Sequence, residues 1–263
     1  MRILQRDCKT ALNPSKLPGI DYALNPYRGC SHACIYCYVP DVIKIDRSTW
    51  GSFVEVKRNL PLVLSKELKH KKPGVVGIST VTDPYQPVEK EFNITRYSLE
   101  QLLQYDFPVS IQTKSSLVER DLSLISSFSD IEVMFSIATL NEDEKKLLEP
   151  FSSSIKDRLK ALKLFSEIGV KTSIFFGPMY PTIKIEDIPH ILDVFKSTGI
   201  SYVMIDKFRM KPGLWDYMSL KLRENSEVYR LFSKNLFSNY YETLRRYIFK
   251  IGEKKKIKIV DAF

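Results

Sequence analysis

The chain has 263 residues, 44% hydrophobic and 27% charged, with 40 basic residues against 31 acidic ones for a net charge of +9. That length and composition fit a soluble globular protein with a sizeable core, built as one barrel-like domain or two smaller ones. The first twenty residues carry no signal-peptide pattern and no run of about eighteen apolar residues occurs, which excludes a membrane span and predicts a cytoplasmic protein with reduced thiols.

In chain order, a first strand is predicted at residues 22–28. It leads into NPYRGCSHACIYCY, where Cys30, Cys34 and Cys37 fall within eight positions; the only other cysteine is Cys8. Thiolates brought this close suit soft metals, either zinc or an iron–sulfur cluster. A structural zinc requires four ligands, and the candidates for the fourth are His32, inside the loop, and Cys8, 22 residues upstream. A four-iron cluster held by three thiolates would instead leave one iron open to an exogenous ligand.

From residue 74 the pattern becomes regular. Near-continuous apolar runs at 74–80, 107–113, 131–139, 169–177 and 200–208 read as strands buried on both faces of a parallel sheet. Amphipathic helices are predicted at 94–105 and 155–169, the second closed by Gly169. In NEDEKKLLEP (141–150), Asn141 is expected to cap a helix with Glu144 returning the bond, and Pro150 to stop it. With the first strand this makes about six β/α units, too few for a closed eight-unit barrel. The expected fold is therefore α/β: a partial (β/α)6 TIM-like barrel, laterally open, with an open doubly wound sheet as the alternative. After residue 208 the pattern turns helical and ends in a small strand, KIKIV. Residues 1–210 are expected to form the core, with the cysteine loop at 30–37, and residues 211–263 a helical C-terminal extension of the same compact unit. No GxGxxG or GxxxxGK motif supports a phosphate cradle.

The spacing Cys-x-x-x-Cys-x-x-Cys, with Tyr36 before the last cysteine and six β/α units behind it, resembles the radical S-adenosylmethionine (radical SAM) superfamily. TDPYQPVEKEFNITR, TKSSLVERDLSLI and the run from FSIATLNEDE to KDRLKAL are similar to its spore-photoproduct-lyase-like branch. The resemblance implies a [4Fe-4S] cluster on Cys30, Cys34 and Cys37, whose open iron chelates S-adenosylmethionine. It implies reductive cleavage to a 5′-deoxyadenosyl radical, and an electron donor such as a ferredoxin or flavodoxin. It also implies cofactor contacts from Tyr36 near the adenine, Thr82 near the methionine ammonium, Lys114 to the carboxylate, and Ser136. The branch's thiol hydrogen donor is absent here, because Val81 occupies that position.

Asp83 reads as a turn cap or a cofactor ligand, whereas Tyr85, Gln86, Met179 and Tyr180 are candidates for substrate contact. Arg120 with Asp121, and Glu149 with Arg158, are expected to be structural ion pairs. The basic runs KHKK and EKKKIKI admit nucleic acid as a partner. Two other functions fit the same cysteines: an electron-transfer iron–sulfur protein with Cys8 as fourth ligand, and a zinc-dependent nucleic-acid-binding module.

Overall fold

A computed structural model describes residues 1–262. Its strands are β1 (Arg2–Arg6), β2 (Asn13–Pro14), β3 (Tyr22–Leu24), β4 (Tyr27–Arg28), β5 (Phe53–Lys57), β6 (Val76–Ile78), β7 (Val109–Thr113), β8 (Ile131–Ser136), β9 (Lys171–Phe176), β10 (Tyr202–Ile205) and β11 (Ile259–Asp261). The main sheet has the order β11-β10-β9-β8-β7-β6-β3-β2. From β3 to β11 every neighbouring pair is parallel, and only β2 runs antiparallel, against β3. The order has two ends and does not close on itself. Strands β3 and β6 to β10 supply the six expected units of a partial, laterally open barrel.

The helices are α1 (Val39–Val42), α2 (Leu60–Leu68), α3 (Glu89–Phe92), α4 (Ile94–Gln104), α5 (Leu122–Ile125), α6 (Glu142–Leu148), α7 (Ile155–Glu167), α8 (Ile188–Lys196), α9 (Leu214–Leu222), α10 (Ser226–Asn235) and α11 (Tyr240–Lys255). The central strands read as continuous apolar runs because both faces are covered: Val133, Met134 and Phe135 are successive in β8 and all buried. Helix α7 buries Ile155, Arg158, Ala161, Leu162 and Phe165, the three- and four-residue spacing of one helical face. Ser154 caps it by accepting from the Asp157 N–H, and Gly169 follows its end at φ +83°. Among the described residues no helix is long and apolar enough to cross a membrane.

Three predicted elements differ. The strand expected at 22–28 is broken at Asn25–Pro26, where Pro26 has no N–H for a ladder. Beyond the break, β4 pairs antiparallel with β5 in a separate sheet of order β1-β5-β4, which short and exposed segments such as RILQR did not signal. On α6, Asn141 Oδ1 accepts from the Asp143 and Glu144 N–H groups as expected, but Glu144 does not complete the box. Its carboxylate instead accepts from Thr139 Oγ1, and that same hydroxyl receives the Asn141 N–H. The terminal strand lies at 259–261, after Lys256 turns the chain in the left-handed region, and extends the main sheet beside β10.

Candidate functional site

The cysteine loop follows β4 and presses against the small sheet. Gly29 sits at φ +86°, and a Cβ there would lie 2.5 Å from the Phe53 carbonyl oxygen. Gly51, at φ +85°, allows an approach that would put its Cβ 2.4 Å from that of Ala33. Both positions therefore exclude side chains on conformational and steric grounds.

Cys30 and Cys34 are buried, Cys37 is partly exposed, and all are free thiols. Cys30 packs with Val39 and Trp50, a group that Cys37, Ile43, Ile45 and Val81 also join. Burial pushes the Cys30 and Cys34 thiols far up and raises Cys37 to about 11; Cys37 further raises Cys30, and Cys30 and Cys37 further raise Cys34. Thiolates at these positions consequently need a cationic partner, which is the donor chemistry a thiophilic metal centre offers. Among the described residues, no three Cys, His, Asp or Glu side chains converge as they would around a single metal ion. Cys8 stands apart from this group. Its backbone is paired with the Asn59 amide, and the charged groups acting on it are Lys57, Glu67 and Asp7.

Side chains from the loop after β6 hold the cysteine loop. Thr82 Oγ1 donates to the Gly29 carbonyl at 2.6 Å, and the Gln86 amide bridges Gly29 and Ser31. Asp83 accepts from the Tyr85 N–H (2.9 Å), Thr113 Oγ1 (2.8 Å) and the Lys114 N–H (2.7 Å), while His32 Nδ1 lies 3.4 Å from its carboxylate. Burial alone would raise Asp83, but His32 and these donors outweigh it and hold the carboxyl at about 2. From elsewhere, Arg47 Nη1 donates to the Cys37 carbonyl, and the Ile35 N–H to the Leu148 carbonyl at 3.0 Å.

Across the loop, Glu149 gathers the other candidates. It is 1% exposed and accepts from the Tyr36 hydroxyl, from Arg158 Nη2 at 2.7 Å and from Ser152 Oγ at 3.3 Å; Lys114 Nζ stands 3.8 Å away. Burial opposes its ionisation, yet Arg158 first, then Lys114 and Tyr36, bring it to about 2. Lys114 Nζ is 6.0 Å from the centre of the Tyr36 ring. Arg158 continues to the Ser136 carbonyl at 2.8 Å, while the Ser136 hydroxyl accepts from Gln112 Nε2 at 3.1 Å. Tyr36, Lys114 and Ser136 are thus linked through Glu149 and Arg158, whereas Thr82 bonds to Gly29 and Gln86. Tyr36 meets Phe208 and Tyr180 edge-on, and Phe232 of α10 extends that aromatic wall.

Several candidates for substrate contact lie inside the core. Tyr85, Gln86, Met179 and Tyr180 have no exposed surface. The Tyr85 hydroxyl donates to Asp121 at 3.1 Å, the Met179 carbonyl accepts from Tyr241, and the Tyr180 carbonyl accepts from Tyr240. Both predicted ion pairs are present. Arg120 joins Asp121 (2.8 Å) and Glu89 (2.7 Å), and Arg96 adds a second bond to Asp121 (2.6 Å). The pairing of Glu149 with Arg158 was read from the sequence, but nothing in LLEPF signalled its bonds to Tyr36 and Ser152 or the approach of Lys114.

A sequence model of the Radical SAM superfamily matches residues 24–195. An uncharacterized protein of Methanocaldococcus jannaschii is 35% identical over 92% of this chain and 91% of its own length. A protein of Pseudomonas phage M6 named radical SAM Nα-GlyT isomerase is 24% identical, over 68% of this chain and 38% of that one. Among solved structures, a cysteine-to-serine mutant of spore photoproduct lyase superposes with a TM-score of 0.77 at 15% identity, covering 99% of this chain and 82% of that one. A further mutant with bound AdoMet and dinucleoside spore photoproduct gives 0.72 at 13% identity with the same coverage.

Replacing Arg158 tests the Glu149 hub. Arg158→Met strands a buried carboxylate and should cost about 3–5 kcal/mol at neutral pH, measured by urea unfolding. Because the folded-state value of Glu149 is depressed, its stabilising contribution is complete above the ordinary carboxylate range and is lost as pH falls towards about 2. In the variant the carboxylate protonates more easily, so the gap to wild type should narrow on acidification. A gap that widens at low pH would show that Arg158 does not act through Glu149.

Proposed function

The chain belongs to the radical SAM superfamily, an enzyme family, and on that premise we propose that Cys30, Cys34 and Cys37 hold a [4Fe-4S] cluster beside a site for S-adenosylmethionine. The observation that carries this is a loop of three free, largely buried thiols next to a wall formed by Tyr36 and Lys114. Three thiols suit a cube, in which each sulfur binds a different iron and one iron stays open, better than a zinc site, which takes four ligands. When bound, the cluster supplies the electron that splits the sulfonium of S-adenosylmethionine into methionine and a 5′-deoxyadenosyl radical.

The protein's part is positioning. Lys114, made more basic by Glu149 despite burial, supplies a cation for the cofactor carboxylate. The Tyr36 ring, fixed by the bond from its hydroxyl to Glu149 and by Phe208, offers a face for the adenine, and Ser136 adds a polar edge. A small one-electron donor of the ferredoxin or flavodoxin kind supplies the reducing equivalent. Residues 1–210 form the catalytic core and 211–263 an extension of the same unit, a reading supported by Phe232 packing on Phe208 and by β11 joining the main sheet.

For the substrate, the favoured class is nucleic acid. The net charge of +9 supports it, as do Lys207 and Lys211, which follow β10 on the side where barrel sites open. The runs KHKK and EKKKIKI, by contrast, lead into β6 and β11 and so lie at the opposite ends of their strands. The dinucleoside ligand of the structural neighbour also supports nucleic acid. Val81 provides no thiol, so hydrogen donation by a cysteine at this position forms no part of the proposal.

Two measurements test this. Anaerobically reconstituted, dithionite-reduced protein should convert S-adenosylmethionine to 5′-deoxyadenosine and methionine; Cys34→Ala should abolish the conversion and Cys8→Ala should leave it. Equal loss in both would make Cys8 a ligand and the site closed. For the substrate, labelled DNA and RNA should bind at about 50 mM salt and lose orders of magnitude in affinity by about 200 mM. Absence of binding at the lower salt would remove nucleic acid from the proposal.

A further inference from the structure

Thr82 and Gln86 form one hydrogen-bonded unit. Gln86 Nε2 donates to Thr82 Oγ1 at 2.9 Å, and Thr82 Oγ1 in turn donates to the Gly29 carbonyl at 2.6 Å. The same Nε2 reaches the Gly29 carbonyl directly at 3.3 Å. At the other end of the amide, Gln86 Oε1 accepts from the Ser31 N–H at 2.8 Å and from Ser31 Oγ at 3.2 Å. Both residues flanking Cys30 are therefore gripped from the loop after β6.

These bonds give both residues protein partners, whereas the sequence pointed to a cofactor contact for Thr82 and a substrate contact for Gln86. The Thr82 hydroxyl gives its one proton to Gly29 and takes the Gln86 amide on one lone pair, so two of its three hydrogen-bonding positions are already used within the protein. Gln86 is 0% exposed, so no substrate reaches it. Around Cys30 the chain has left the ladder between β4 and β5, and the Gly29 carbonyl and Ser31 N–H need partners that no strand provides. A side-chain amide offers one donor end and one acceptor end at a fixed separation, and here it supplies both.

We infer that Thr82 and Gln86 are positioning residues for the cysteine loop: they fix the backbone on either side of Cys30, and so the direction of its thiol, rather than contacting cofactor or substrate. The inference rests on the cysteine loop being the cluster site. Cluster potentials respond to the hydrogen bonds and solvent access around the sulfurs. Loosening the Gly29–Ser31 segment therefore alters the cluster itself, whereas a lost cofactor contact would alter only affinity.

The experiment compares wild type with Thr82→Val, Thr82→Ser, Gln86→Leu and Lys114→Met, each reconstituted anaerobically. Three quantities are read: the rate of iron loss to a chelator, the EPR spectrum and midpoint potential of the reduced cluster, and the equilibrium affinity for S-adenosylmethionine. Thr82→Val and Gln86→Leu should lose iron several-fold faster, with a changed spectrum and potential and unchanged cofactor affinity. Thr82→Ser, which keeps the hydroxyl, should restore wild-type behaviour. Lys114→Met should do the reverse, keeping iron as tightly as wild type while cofactor binding weakens by about tenfold or more. If Gln86→Leu does not fold, Gln86→Glu serves in its place. It keeps the acceptor for Ser31, removes the donor to Gly29 and Thr82, and should also speed iron loss. The inference is overturned if Thr82→Val weakens cofactor binding while its cluster signals match wild type, or if all the loop variants equal wild type. Wild-type protein that assembles no cluster overturns the reading of the loop itself.

Discussion

A carboxylate shut away from water has to be matched by cations and donors, and Glu149 shows how much of this site follows from that requirement. Its partners come from four separate segments: Tyr36 in the cysteine loop, Lys114 after β7, Ser152, and Arg158 on α7. Arg158 is itself fully buried, and it spends its remaining donors on the carbonyls of Ser136 and Ser153. No two of these segments share a β-ladder or a helix. The single buried negative charge is one point at which all of them meet, alongside direct bonds such as the Ser153 N–H to the Lys114 carbonyl. Tyr36 and Lys114 therefore share one wall through a residue that serves both.

The same device recurs on the other side of the cysteine loop. Asp83 accepts from two backbone N–H groups and one hydroxyl, and so ties the loop after β6 to the end of β7. Beneath it, Glu89 and Asp121, both fully buried, share Arg120, and the hydroxyls of Tyr27 and Tyr85 complete the set. In a parallel sheet the loops at the C-terminal ends cannot hydrogen-bond to one another as strands do, so polar side chains replace the missing ladder. Buried pairs of this kind are weak evidence of added stability, because desolvation offsets much of the Coulombic gain. Their evident result here is a defined arrangement of loops.

The aromatic wall adds a shape constraint to this ionic frame. Tyr36 lies edge-on to Phe208, which follows β10, and Phe208 lies edge-on to Phe232 on α10. The C-terminal segment thus reaches the ring beside the last cysteine through two contacts, while β11 lengthens the sheet next to β10. In an open barrel, a wall built from such late elements determines the form of the side the sheet does not close.

Strands β6 to β10 and helix α7 were legible in the sequence because each depends on a local pattern: apolar runs buried on both faces, a three- and four-residue stripe and a glycine stop. The cysteine spacing was equally legible, since residues seven positions apart share a loop in any fold. Tyr85 and Gln86, by contrast, looked like residues facing the opening and are buried instead. The split at Pro26, the sheet formed by β1, β5 and β4, and the Glu149 hub were likewise decided only in three dimensions. Their partners are distant in the chain: Gln86 holds Ser31 across 55 positions, and Tyr36 meets Glu149 across 113. Local periodicity records which face of an element avoids water. Which buried polar group satisfies which other is settled only by packing, because the cost of leaving either unpaired arises only once both have left water.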